Sequence, residues 1–141
     1  MKRILLSLVI IIAFASCDTL QNASNSTGSV FTLNGQWKLN SNLPENTIVG
    51  TIVTVTPFVA EGKITLLANN SQCYRENDVK WKDIVTDKAG GFNLNNLLMT
   101  CTGGVMNYVP ATIKVVNNDE IRLVGKNVAG AENTQVWMRV K

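Results

Sequence analysis

The chain has 141 residues, with 13 Lys+Arg against 10 Asp+Glu and a formal net charge of +3. That length suits one ordinary domain, on a rough scale of about 150 residues per domain. The absence of His excludes His-based general acid–base catalysis, Ser-His-Asp triads and most zinc sites.

Lys2 and Arg3 precede an apolar run over residues 4–14, broken only by Ser7. A charged start followed by an apolar stretch too short to span a bilayer reads as a secretory signal. The run ends in Phe14-Ala15-Ser16-Cys17, and small residues just before a Cys resemble the bacterial lipoprotein signal. The resemblance implies cleavage before Cys17 and acylation of its thiol, so the membrane partner would be reached through acyl chains. Ordinary secretion with cleavage near Ser16 is the alternative. The expected location is the cell envelope, with the outer membrane preferred to the inner. Residues 1–16 are thus read as signal and 17–30 as lipidated Cys and polar, flexible tether, leaving 31–141 as the domain. Removing the signal takes Lys2 and Arg3 with it and leaves 11 basic against 10 acidic residues. No Lys/Arg stripe remains, so nucleic acid is not an expected partner.

With Cys17 acylated, Cys73 and Cys101 form an even pair in an oxidising compartment, and a disulfide is the default reading. Closing a 29-residue loop (73 to 101 inclusive) would contribute roughly 3–4 kcal/mol on the loop-entropy argument.

The remainder alternates like strands. A first strand is expected near 36–39, a second in the β-branched run 48–56, and a third in 63–67 after Glu61-Gly62. Val79-Lys80-Trp81-Lys82 alternates apolar with charged, which places Val79 and Trp81 on one face. Strands follow near 91–101 and from 106–108 into 111–116. Asn117-Asn118-Asp119 turns the chain into 120–125, where Ile121 and Leu123 share a face. The last strand runs from Gln135 to the end. About eight short antiparallel strands and no helix imply an all-β, up-and-down barrel or a closed-off sandwich. An eight-stranded barrel is either filled by side chains or holds one small ligand.

Leu33-Asn34-Gly35-Gln36-Trp37 resembles the Gly-x-Trp opening of lipocalins and related calycin barrels, and the whole of 31–141 is similar to short lipocalin-like lipoproteins of bacterial envelopes. The resemblance implies that Arg139, on the final strand, packs across Trp37 and closes one barrel end, a cation–π contact of about 0.5–2 kcal/mol. No Thr-Asp-Tyr motif of that family occurs in the middle of the chain, and no C-terminal helix like the family's is expected after the last strand. A second resemblance is to the META domain of envelope stress proteins, through Leu33-x-Gly35-x-Trp37 and Met99-Thr100-Cys101.

No Gly-x-Ser-x-Gly elbow and no phosphate-cradling loop occurs; Gly90-Gly91 and Gly103-Gly104 read as turn glycines. The acidic segments 76–78 and 117–120 lack the spacing of a calcium loop. No enzyme activity, metal or cofactor is expected. The leading expectation is a lipid-anchored barrel holding a small, mostly apolar ligand, with Phe58, Trp81, Phe92 and Tyr108 as candidate pocket residues. The alternative is a filled barrel that acts as a structural or protein-interaction module of the envelope.

Overall fold

The computed structural model describes residues 23–24, 30–69, 72–102 and 106–141. The expected signal, Cys17 and most of the tether lie outside the described residues. In the stretch read as tether, β1 (Ala23–Ser24) pairs antiparallel with β2 (Val30–Phe31).

Eight further strands follow: β3 (Gly35–Leu43), β4 (Ile52–Val55), β5 (Gly62–Leu66), β6 (Val79–Thr86), β7 (Phe92–Met99), β8 (Met106–Val115), β9 (Glu120–Lys126) and β10 (Glu132–Arg139). Each pairs antiparallel with its neighbours in sequence, and β10 pairs with β3 to complete a closed up-and-down barrel. Closure removes the unpaired edges that a small open sheet would expose. No helix occurs among the described residues.

Turn chemistry explains where the strands stop. Asn117 Oδ1 accepts from the Asp119 amide at 2.8 Å between β8 and β9. Asp87 Oδ1 accepts from the amides of Ala89 and Gly91, each at 2.8 Å, between β6 and β7. Asn127 Oδ1 does the same for the Ala131 amide at 2.9 Å between β9 and β10. In each case a short polar side chain satisfies backbone donors that the ladder cannot.

Two expectations about the strands are corrected. The run 48–56 is not one strand: Ile48 and Gly50 have φ of 53° and 96°, so the chain turns there and pairing begins at Ile52. Val79 and Trp81 do not simply alternate with an exposed Lys80. The β5–β6 register shifts between Gly62 and Lys63, and Lys80 and Trp81 are both fully buried while Val79 is half-buried. A bulge of this kind breaks the period-two pattern of an ideal strand.

Alternation holds over parts of the other strands: Trp37 and Leu39, Val53 and Val55, Ile121 and Leu123, and Gln135 and Trp137 are buried on one face of their strands. It breaks on β7, where the adjacent Asn96 and Leu97 are both buried, and on β3, where burial passes from Leu39 to Asn42.

Candidate functional site

At one end the lead-in segment, residues 31–34, enters the barrel. Phe31 and Leu33 are buried, and Phe31 stacks obliquely near both Trp37 and Phe92, with ring centroids 6.1 Å apart in each case. Trp37 Nε1 donates to the Leu33 carbonyl at 2.8 Å. Arg139 lies over this assembly, its guanidinium carbon 4.2 Å from the Trp37 ring centre and 5.7 Å from that of Phe31. It donates to the carbonyls of Asn34, Thr32 and Asn118 at 2.7, 2.8 and 2.7 Å. Burial pulls the guanidinium below its ordinary value, with Asp119 opposing the shift. Gly35, at φ 118°, makes the approach possible: a Cβ there would stand 2.9 Å from an Arg139 guanidinium nitrogen. Trp37 and Arg139 are therefore brought together, and the cation also ties the lead-in to β10 and the β8–β9 turn.

In the middle, Trp81 on β6 meets Trp137 on β10, edge to face with centroids 4.9 Å apart. These strands are four positions apart in either direction around the ring, so the two indoles span the barrel from opposite walls. Trp137 Nε1 donates to Gln135 Oε1 at 3.1 Å. Gly62 leaves room for Trp81 beside β5, because a Cβ there would approach Trp81 Cε3 to 2.9 Å and Val53 Cγ1 to 2.8 Å.

The far end is polar. Asn42, Asn133, Gln135 and Tyr74 are buried there around one small space. Lys80 donates to Tyr74 Oη at 3.1 Å and to the Leu97 carbonyl, with Nζ 4.6 Å from the Tyr74 ring centre. Tyr74 Oη in turn donates to the Leu97 carbonyl at 3.0 Å. Burial lowers the Lys80 ammonium from 10.5 to about 7 and raises the Tyr74 hydroxyl far above its ordinary range. Asn42 Oδ1, Trp81 Nε1 and Asn96 Oδ1 are buried without a hydrogen-bond partner.

The spaces that reach into the two ends of the barrel are small and half-open: one of about 20 Å³ lies among Leu33, Val55, Ala60, Ile84 and Phe92, and one of about 10 Å³ at the polar end. Each is on the scale of a single water, about 10–15 Å³ by this measure. Spaces of about 200–320 Å³ are half-open clefts beside the β9–β10 turn, the disulfide and the β6–β7 turn.

The four residues expected to line a ligand pocket do not converge. Trp81 and Phe92 are core residues, Phe58 is 87% exposed in the β4–β5 connection, and Tyr108 is half-buried beneath Lys82, whose Nζ is 3.9 Å from its ring centre. Cys73 and Cys101 are disulfide-bonded, with Cα atoms 5.2 Å apart. Among the described residues there is no cluster of three or more His, Cys, Asp or Glu able to hold a metal ion.

Nothing local in the sequence distinguishes Lys80 from its neighbour Lys82 or marks Tyr74 and Trp137 as members of the interior. Comparisons with protein-family models, with curated proteins and with solved structures each return no match.

Proposed function

We propose that this chain is a lipid-anchored envelope protein whose barrel is a filled, non-enzymatic scaffold for interactions at the envelope, and not a carrier with an apolar cavity. The observation that carries this reading is the Trp81–Trp137 contact across the barrel at 4.9 Å. Carrier pockets of about 300 Å³ or more bury a small ligand in a preformed space; here the interior volume is taken by three fully buried indoles. A saturated core also leaves function to the outer surface and the loops, which is where binding residues sit on rigid scaffolds.

The lipid anchor rests on the sequence around Cys17, and the lipocalin-like kinship rests on Gly35-Gln36-Trp37 together with the Arg139 clamp. Neither extends to a ligand. Native mass spectrometry of the full chain drawn gently from its own envelope tests the whole reading. The expected result is a mass carrying acyl chains on Cys17 and no further non-covalent component. An extra mass lost on denaturation overturns the filled-barrel reading, and an unmodified Cys17 overturns the anchor.

A further inference from the structure

Phe58 stands apart from every other large apolar side chain described. It is 87% exposed, the highest value among the exposed large hydrophobic residues, and it holds φ at 66°. A bulky aromatic in the left-handed region is uncommon and costs backbone strain, so the connection between β4 and β5 accepts that cost while presenting this ring to the outside. Val59 beside it is 45% exposed.

The location is informative. Val59 and Ala60 share the small space that also touches Leu33 and Asn34, so Phe58 lies at the end where the chain enters the barrel. Strand direction puts Val116, in the β8–β9 turn, and Val140, after β10, at that same end; they are 46% and 37% exposed. From Cys17 to Val30 the chain advances 13 residues, which span at most about 45 Å even fully extended. A tether this short holds the entry end of the barrel near whatever Cys17 is attached to, and a weak local contact then gains from high effective concentration. The opposite end also exposes apolar residues, Leu43, Leu66, Met106 and Val128, but none is aromatic and the chain does not enter there.

We propose that the β4–β5 connection is a second membrane contact: Phe58, with Val59, inserts into the lipid surface beside the anchor and orients the barrel with its entry end down. This rests on the reading of Cys17 as acylated. The connection reads Thr56-Pro57-Phe58-Val59-Ala60-Glu61, and an exposed aromatic ring at such an apolar tip suits the interface between headgroups and acyl chains.

The test is Phe58→Trp in the full chain, reconstituted in phosphatidylcholine vesicles with or without brominated acyl chains. Because Trp37, Trp81 and Trp137 are all 0% exposed, the introduced indole would be the one open to the outside. Its emission should shift to the blue on reconstitution and fall at least twofold more with brominated lipid than that of the unsubstituted chain. A variant that floats with vesicles while the new indole stays red-shifted and open to iodide overturns the inference. So does a blue shift without bromine quenching, which would mean that a protein surface covers the ring. A chain that does not associate with vesicles at all overturns the anchor reading, and this inference with it.

Discussion

Trp81 and Trp137 reach each other from opposite walls of the barrel, edge to face at 4.9 Å. On strands four apart around an eight-membered ring, such a contact leaves no continuous lumen between them. The pair divides the interior into an aromatic half, closed by Phe31, Trp37 and Arg139, and a polar half around Tyr74 and Lys80.

Removing one indole should hollow the core. Trp137→Ala is expected to cost about 3–5 kcal/mol in chemical denaturation and to open a space that takes up an environment-sensitive naphthyl dye. The unsubstituted chain should not bind that dye in a saturable way. Saturable binding by the unsubstituted barrel would count against a filled interior.

Arg139 makes three hydrogen bonds to carbonyls as well as the contact with Trp37. Arg139→Leu should lower stability by about 2–3 kcal/mol, because charged-group hydrogen bonds contribute about 1.5–3 kcal/mol each and are not additive. Arg139→Lys should recover little of it, since an ammonium lacks the planar fork that reaches three acceptors at once. Thermal melts of the two variants, read side by side, check both statements.

Burial holds Lys80 at about 7 against an ordinary 10.5. Between those values the unfolded chain keeps a proton that the folded chain has lost, so stability should rise with pH from about 7, at up to about 1.4 kcal/mol per pH unit. Above about pH 10 the trend should reverse, because Tyr74 stays protonated in the fold after it has ionised in the unfolded chain. Lys80→Met should be more stable than the parent at pH 7, by about 1–3 kcal/mol, and should lose the rise. Urea titrations across the range from neutral to alkaline pH measure it; a parent curve as flat as that of Lys80→Met would disprove the desolvated amine.

Reducing the Cys73–Cys101 bridge should lower stability by about 2–4 kcal/mol, since it frees a 29-residue loop in the unfolded chain. Cys73→Ser with Cys101→Ser should match the reduced protein. Two titratable thiols at these positions in the oxidised, purified chain would show that the bridge does not form.

Much of the barrel is legible from local pattern. Ile121 and Leu123 alternate with Glu120 and Arg122 because one face of β9 is buried, and Asn117-Asn118-Asp119 marks its turn by an amide-to-side-chain bond that needs no distant partner. Failures occur where backbone irregularity intervenes. Ile48 carries a strand former's side chain, yet its positive φ places it in a turn. Lys80 reads as a solvated neighbour of Trp81 until the register shift opposite Lys63 buries it. Bulges depend on how two strands meet, and neither strand encodes that alone.

The four candidate pocket residues are dispersed for a related reason. Phe58, Trp81, Phe92 and Tyr108 are equally plausible as cavity walls when only their chemistry is known. Their separation into an exposed loop, the core, the closed end and a half-buried site against the core beneath Lys82 follows from strand register and the closure of the ring.

Local conformational preference and simple counting thus suffice for an all-β chain of about eight short strands, for the positions of most turns, for the pairing of Cys73 with Cys101 and for the absence of His chemistry. They do not reach the filled interior, the burial of Lys80 beside Tyr74, or the outward Phe58 at the end where the chain enters. Each of these depends on distances between residues far apart in the chain, which are set by register, bulges and ring closure.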